Sequence, residues 1–260
     1  MGRRGTRVLG SMLALSLGAA GPAGAIEAGR MQTTDVRERS AAPRTTSFTS
    51  GGRSITVEWF GAAGGAARAP AVVMLHGADG LSRRGAQYRA GARSLAAGGY
   101  HVALVHYFDR TGTQWASLPA IFQNFSAWME TLSDALAFVG AQPGVDPGRL
   151  GVVGISLGAA LSVATAANDP RIKALVDYFG PVPEGSLAGA TRLPPTLVLH
   201  GAADPIVPVS NARSLEAFLQ ARGVPHEVQV YPGEGHGFSG TAQADADRRV
   251  AAFLDRHLKR

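Results

Sequence analysis

Residues 154–158 read Gly-Ile-Ser-Leu-Gly, and the segments on either side of this pentapeptide decide the fold class. An apolar run at residues 150–155 leads into it, and a run of small residues at 159–167 follows it. The pattern predicts a strand, a tight turn with Ser156 at its apex, and a helix. In such an elbow the flanking glycines let strand and helix pass closely, while a strained serine backbone projects Oγ above the sheet.

Two segments downstream supply the groups that would activate such a serine. Residues 196–200 predict a buried strand that runs into a turn carrying Asp204. Residues 227–231 predict another strand, which is followed by a glycine-rich loop carrying His236. Because 34 of the 260 residues are glycine, the pentapeptide would be a weak signal without these partners. We predict that Ser156 is the nucleophile, His236 the general base and Asp204 the acid that orients the histidine.

A second carboxylate competes for the role of the acid. Asp79 follows the strand predicted at residues 71–76, but it precedes Ser156 in the chain. The order serine, aspartate, histidine favours Asp204. Asp79 stands directly before Gly80, which is typical of a turn residue.

Four segments together resemble one known family. They are residues 150–158 around the serine, 169–180 (DPRIKALVDYFG), 195–208 (PTLVLHGAADPIVP) and 231–238 (YPGEGHGF). From about residue 71 to the C-terminus the chain is similar to the dienelactone hydrolases, a family of α/β-hydrolases. The best-known members of that family carry cysteine where this chain has Ser156. The resemblance implies the α/β-hydrolase fold and the hydrolysis of an ester or lactone.

The resemblance also implies an oxyanion hole and candidates for substrate contacts. In α/β-hydrolases one oxyanion amide belongs to the residue after the nucleophile, here Leu157, and the other to the loop after an early buried strand, here Ala78. The family's lactone-carboxylate site uses arginine, and the possible counterparts in this chain are Arg83, Arg84 and Arg110.

The longest connection, residues 107–126, carries several aromatic side chains. Aromatic clusters belong more often to a core than to a pocket, but this segment leaves the end of a central strand near the expected active face. The candidate pocket-wall residues are Tyr107, Phe108 and Trp115.

Apolar runs and helical patterns alternate along most of the chain. Strands are predicted at 71–76, 101–106, 150–155, 174–178, 196–200 and 227–231, and helices near 86–97, 126–140, 157–168, 210–222 and 242–258. Continuous apolar strands separated by helices predict an α/β fold with a mostly parallel, doubly wound sheet that has helices on both faces. A β-hairpin around Gly51 and Gly52 is predicted to precede it. Ligands of such sheets bind at the carboxyl ends of the strands, where all three triad candidates lie.

The N-terminal residues have the pattern of an export signal. Arg3, Arg4 and Arg7 precede an apolar stretch of about 13 residues, too short to span a bilayer, and an Ala-x-Ala site ends at Ala25. We predict a signal peptide at 1–25, a lead-in without clear periodicity at 26–45 and the hydrolase domain at 46–260. The mature protein is expected to be periplasmic or secreted, without a stable membrane anchor; the sequence leaves open whether the general or the twin-arginine route exports it.

Composition excludes several classes of function. The formal net charge is +6, and removal of the predicted signal peptide, which contains three arginines and no acidic residue, leaves +3. The remaining basic residues are scattered along the chain, so the sequence indicates no nucleic-acid-binding surface. The chain has no cysteine, which rules out disulfides, thiolate metal sites and a cysteine nucleophile. No metal site and no organic cofactor are implied, and the expected partner is a small ester or lactone. The oligomeric state is open.

The combined sequence features predict a serine hydrolase that cleaves an ester or lactone through an acyl-enzyme. A peptidase of the prolyl-oligopeptidase type is the nearest alternative, although such enzymes usually carry a large accessory domain. A binding protein that kept the fold and lost activity is a further alternative, but such proteins normally lose a triad member.

Overall fold

The computed structural model describes residues 43–182, 187, 189–190 and 192–259. The predicted signal peptide at 1–25 and most of the predicted lead-in at 26–45 lie outside these residues. The first strand, β1 (Arg44–Ser50), begins two residues before the predicted domain start at 46. The strand extends this far because its hairpin partner continues to pair with it: Arg44 is opposite Trp59, and its guanidinium lies 5.9 Å from the indole ring.

The predicted hairpin joins the main sheet along one edge. β1 pairs antiparallel with β2 (Arg53–Phe60), and the connecting residues Gly51 and Gly52 both have positive φ. β2 then pairs antiparallel with the strand His101–Val105. Pairing of β2 on both sides leaves β1 as the outer strand of the sheet.

In the part of the chain that the structure describes, eight strands form one sheet in the order β1-β2-β4-β3-β5-β6-β7-β8. The six strands after the hairpin run parallel to one another: β3 (Ala69–Leu75), β4 (His101–Val105), β5 (Val145–Ile155), β6 (Ile172–Tyr178), β7 (Thr196–Gly201) and β8 (His226–Tyr231). The central residues of β3 to β7 are almost wholly buried, as expected when both faces of a parallel sheet are covered, whereas the edge strand β8 is half-buried except at Tyr231.

Among the described residues, five α-helices cover the two faces of the sheet. They are α1 (Gly85–Ala97), α2 (Leu118–Gly140), α3 (Leu157–Ala166), α4 (Ser210–Ala221) and α5 (Gly240–Leu258). α1 and α5 bury their apolar residues in the core on one face, and α2, α3 and α4 do so on the other. The architecture is the predicted doubly wound α/β fold.

The start of α2 differs most from the sequence prediction. The helix begins at Leu118, eight residues before the predicted start at 126, with Pro119 in its first turn. Its first turns expose Leu118 and Phe122 while Ala120 and Ile121 pack against the core, so their apolar residues do not form the single face that identifies a helix in a sequence. The predicted connection 107–126 therefore consists of a short 3₁₀ helix, Tyr107–Arg110, a loop and the first turns of α2.

Gly158 sets how closely α3 approaches the sheet. A Cβ built on this residue would lie 2.5 Å from the carbonyl oxygen of Leu75 and 2.7 Å from that of His76. Because these contacts are with backbone, the helix would have to move. We expect Gly158→Ala to lower the free energy of unfolding by about 1–3 kcal/mol, measured by urea denaturation.

Gly61→Ala is the matched control for this variant, because no atom lies within 4 Å of a Cβ at Gly61. It should unfold at the same urea concentration as wild type. An unchanged midpoint for Gly158→Ala would show that α3 does not rest directly on the end of β3.

Candidate active site

Ser156 occupies the sharp turn between β5 and α3. Its backbone has φ 54° and ψ −116°, a conformation that costs a non-glycine residue energy and that surrounding contacts must maintain. One such contact is the hydrogen bond from Ser156 N to the carbonyl oxygen of Tyr178, at 2.9 Å. The strained elbow predicted from the sequence is therefore present, with the serine at the carboxyl end of β5.

Ser156, His236 and Asp204 form one continuous chain of hydrogen bonds. His236 Nε2 lies 2.8 Å from Ser156 Oγ, and His236 Nδ1 lies 2.7 Å from Asp204 Oδ2. A carboxylate can only accept, so Nδ1–H donates to Asp204 and the neutral ring presents Nε2 as acceptor to the serine hydroxyl. The three side chains predicted from separate parts of the sequence thus meet with the geometry and the tautomer that a serine nucleophile needs.

The carboxyl of Asp204 is fixed on both oxygens. Oδ1 accepts the backbone N–H groups of Ile206 and Val207 at 2.8 and 2.9 Å, while Oδ2 accepts from His236. Burial by itself would raise the pKa of Asp204, but the amide of Val207, His236 and the amide of Ile206 outweigh it and hold this pKa below its ordinary value. The acid therefore stays ionised beside the imidazole.

Gly201 lets the loop that carries His236 (residues 232–238, here called the histidine loop) lie directly on the end of β7. A Cβ on Gly201 would overlap the carbonyl oxygens of Glu234 and Gly235. The backbone N–H of Ala203 donates to the Glu234 carbonyl at 3.0 Å, which ties the acid loop to the histidine loop. Any larger residue at position 201 would separate the two loops, and with them Asp204 from His236.

The two residues predicted to supply oxyanion amides are Leu157, which follows Ser156 in the chain, and Ala78, whose neighbour Gly77 lies close to Ser156. Leu157 is the first residue of α3, so its N–H has no acceptor within the helix. Gly77, the neighbour of Ala78, comes so close that a Cβ built on it would lie 3.4 Å from Ser156 Cβ. The Tyr88 hydroxyl accepts the N–H of Gly77 at 3.1 Å and holds this loop in place. Sequence reasoning missed this contact of Tyr88.

Two of the three predicted pocket-wall residues belong to the core, which corrects that prediction. Tyr107 and Phe108 are buried, and Tyr107 donates its hydroxyl to the carbonyl oxygen of His76 at 2.9 Å. Both rings pack against the imidazole of His76, whose pKa burial lowers to about 4. Trp115 is 65% exposed. Tyr107 and Phe108 thus pack against His76, the residue from which the loop with Gly77 and Ala78 begins.

Asp79 and the candidate arginines are placed as follows. Asp79 lies 3.6 Å from Arg84 in a partly exposed ion pair and makes no contact with His236 in the described structure. Arg84 lies beside the histidine loop, because a Cβ on Gly237 would be 3.1 Å from its Nη1. Arg110 instead pairs with Glu130 on α2, and Arg83 is exposed on the surface. Of the three, Arg84 is therefore the one beside the site.

Phe179 is a contact of the site that the sequence analysis did not single out. Its ring lies 4.6 Å from the imidazole of His236, centroid to centroid, and packs edge-on against Phe238. Phe179 is the second non-glycine residue with positive φ in the described structure, after Ser156. The available signal was its position directly after β6, at the sheet edge where the triad lies.

A cavity of about 630 Å³ lies between α1 and α5. Arg84, Phe179 and Phe238 are among the residues that line it, whereas Ser156 and His236 are not. The volume falls in the range of small-molecule sites. Because Phe179 also contacts the imidazole of His236, the cavity lies next to the hydrogen-bonded side chains of His236 and Ser156, on the face of the sheet opposite α3.

The described residues contain neither a metal-binding cluster nor a membrane-spanning helix. They contain no group of three or more histidine, aspartate or glutamate side chains arranged to hold a metal ion. Within the same ranges, none of the helices combines the length and the apolar character needed to cross a bilayer.

The model of the dienelactone hydrolase family matches residues 60–257. A protein of Methylorubrum extorquens described as "Putative carboxymethylenebutenolidase" is 31% identical over 119 residues, which cover 42% of this chain and 41% of that protein. The chain spans 41 to 60% of the length of the first curated relatives that it matches.

Solved structures share the fold. "Putative Dienelactone Hydrolase from Klebsiella pneumoniae" superposes with a TM-score of 0.72 at 21% identity, covering 82% of this chain and 98% of that one. The acylaminoacyl peptidase of Pyrococcus horikoshii superposes with a TM-score of 0.71 at 17% identity, covering 84% of this chain but 42% of the peptidase. At these identities the likeness concerns the fold alone.

Proposed function

The chain belongs to the dienelactone hydrolase family, and from that premise we propose that it is a serine hydrolase that cleaves a carboxylic ester or lactone through an acyl-enzyme. The observation that carries the proposal is the unbroken hydrogen-bond chain from Ser156 Oγ through His236 to Asp204. A serine replaces the thiol nucleophile of the family's best-known members, and it needs this base because a neutral hydroxyl is a weak nucleophile.

In the first half-reaction Ser156 Oγ attacks the carbonyl carbon of the substrate. Its proton passes to His236 Nε2, and Asp204 stabilises the imidazolium that forms. The backbone N–H groups of Ala78 and Leu157 donate to the oxyanion of the tetrahedral intermediate. When the carbonyl re-forms, the bond to the alcohol oxygen breaks, and His236 returns the proton to the leaving alkoxide.

In the second half-reaction a water molecule takes the place of the alcohol. His236 removes one proton from it while the water oxygen attacks the acyl carbon. Collapse of this second tetrahedral intermediate breaks the bond to Ser156 Oγ, which recovers its proton from His236. For a lactone, the alcohol and the acid remain one molecule, and the product is a hydroxy acid.

The peptidase alternative has one observation behind it, the fold shared with the acylaminoacyl peptidase. The region shared with that protein is less than half of its chain. Ester and anilide substrates with the same acyl group distinguish the two functions: the proposed esterase hydrolyses the p-nitrophenyl ester at least about a hundredfold faster relative to background than the p-nitroanilide.

We expect a preference for short acyl groups. The sequence of the connection 180–194 predicts a short loop with little apolar periodicity, and its described residues contain no helix that could act as a lid. Trp115 and Phe122 are 65% and 81% exposed, so they do not cap the site from the other side. Each methylene that stays in water forgoes about 0.8 kcal/mol of binding. We expect kcat/KM for p-nitrophenyl palmitate to be at least about tenfold lower than for the butyrate.

The acetate, butyrate and palmitate esters should be compared at concentrations below micelle formation, with a small lactone in parallel. Equal or higher kcat/KM for palmitate would contradict the short-acyl preference. That result would indicate that the cavity between α1 and α5 accepts the acyl chain.

A further inference from the structure

The turn that follows β6 contains a buried carboxyl group. Asp177 is 1% exposed and lies one residue before the end of the strand. Its Oδ1 accepts the backbone N–H of Gly180 at 2.8 Å, which closes residues 177–180 into a turn. Its Oδ2 has no hydrogen-bond partner among the described residues.

This turn contacts both the nucleophile and the base. The carbonyl oxygen of Tyr178 accepts the N–H of Ser156 at 2.9 Å, within the strained elbow. The ring of Phe179 packs on the imidazole of His236 at 4.6 Å. Phe179 itself has φ 41°, and its N–H donates to the carbonyl oxygen of Leu199 at 2.7 Å. The positions of Ser156 and His236 therefore both depend on four consecutive residues.

A carboxyl group at this buried position lowers the free energy of unfolding. The preceding residues of β6, Leu175 and Val176, are buried and apolar, and an apolar residue at 177 would continue that pattern. A buried polar oxygen without a partner destabilises the folded state, because nothing replaces the hydrogen bonds that it makes to water in the unfolded chain. What the carboxyl contributes in return is one acceptor, Oδ1, at the amide that follows the strained residue Phe179. Strain of this kind persists only where neighbouring contacts enforce it.

We propose that Asp177 is a positioning residue. Its hydrogen bond to Gly180 holds the turn 177–180 in place, and this turn aligns Ser156 and His236 for proton transfer. The proposal rests on the function proposed above for those two residues. In the described structure Asp177 makes no hydrogen bond to Ser156 or His236, so its effect is on alignment and appears in kcat rather than in KM.

The surroundings of Asp177 contain few ionisable groups. α3, which packs against this face of β6, has none at residues 157–166, and Asp177 pairs in register with Gly154 of β5 and Val198 of β7. His200, two residues beyond Val198, faces the same side and donates from Nε2 to the Val207 carbonyl. Burial raises the pKa of Asp177 to about 7, although the amide of Gly180 counteracts it.

Two substitutions separate the acceptor from the charge. Asp177→Asn keeps an oxygen at the Oδ1 position and cannot ionise, whereas Asp177→Val has a similar size and removes the acceptor. Thr165→Val is the matched control, because Thr165 on α3 is also buried and its hydroxyl also lacks a partner in the described structure. Each variant is titrated with a fluorophosphonate, so that kcat is expressed per reactive serine and any unfolded fraction is excluded.

We expect Asp177→Val to lower kcat for p-nitrophenyl butyrate at least tenfold, with KM changed less than threefold. Asp177→Asn should restore kcat to within threefold of wild type, and Thr165→Val should match wild type. Wild-type kcat per reactive serine in folded Asp177→Val would overturn the proposal, as would an equal loss in Asp177→Asn. If wild type itself is neither labelled nor active, the proposed function has failed instead.

A stability measurement tests the buried carboxyl without any assay of activity. The folded pKa lies above the ordinary value, so the stability that the protonated form contributes is complete below about pH 4 and is lost as the pH rises through about 7. Asp177→Asn has no such loss. The Tm of Asp177→Asn relative to wild type should therefore rise between pH 5 and pH 8. A constant difference would contradict a buried carboxyl that ionises in this range, and Asp177 would then not be held as described.

Discussion

Replacement of Ser156 by alanine is expected to lower kcat by about 10⁴-fold or more while the protein stays folded. The substitution removes the atom that forms the acyl-enzyme and deletes only one oxygen, so no large cavity results. It also relieves none of the close contacts around the elbow, where Gly77 faces Ser156 Cβ. The measurement is kcat on p-nitrophenyl butyrate, with circular dichroism and Tm to establish the fold.

Ser214→Ala is the control for this substitution, because Ser214 lies on the exposed side of α4. It should leave kcat and KM unchanged. A Ser156→Ala variant that retains more than about a tenth of wild-type turnover would show that another group performs the attack.

Asp204→Asn is expected to lower kcat by about 10³- to 10⁴-fold, because it changes the tautomer of His236. The backbone amides of Ile206 and Val207 donate to Oδ1, so the amide oxygen of the new asparagine stays at that position. Its NH₂ group then faces His236 Nδ1 and donates to it. The ring must carry its proton on Nε2, where it can no longer accept the proton of Ser156.

Asp79→Asn provides the comparison, since it makes the same chemical change in the rival carboxylate. We expect it to change kcat less than threefold, because Asp79 forms a partly exposed ion pair with Arg84 and no hydrogen bond with His236 in the described structure. The two variants assayed side by side decide between the candidates. If Asp79→Asn lost activity and Asp204→Asn kept it, the assignment of the acid would be reversed.

The sheet and the hydrogen-bonded arrangement of Ser156, His236 and Asp204 were predictable because each depends on short stretches of sequence. Parallel strands buried on both faces are continuous apolar runs, and a strand's carboxyl end fixes where the next loop begins. Ser156 follows such a run directly, and Asp204 and His236 lie in the loops that follow two others. The topology of the fold then places all three at one edge, so local patterns were sufficient to predict a contact between residues 80 positions apart.

The contacts around the triad were less predictable because they depend on packing. Tyr107 and Phe108 follow β4 just as a pocket wall would, but the sequence does not reveal that His76 covers their rings. Phe179 depends on a positive φ that no composition rule assigns to phenylalanine. The first turns of α2 were missed because their apolar residues lie on two sides, Ile121 against the core and Leu118 and Phe122 in solvent, which obscures the core-facing pattern.

The most direct test of the proposed mechanism is covalent labelling of the wild-type protein with a fluorophosphonate, followed by peptide mapping. The proposed mechanism predicts one label per chain, attached to Ser156 on the peptide that contains residues 154–158, with loss of esterase activity in proportion to labelling. The label should be absent from Ser156→Ala and strongly slowed in Asp204→Asn. A label on another residue, or full esterase activity in protein labelled at Ser156, would contradict the proposal that Ser156 is the nucleophile.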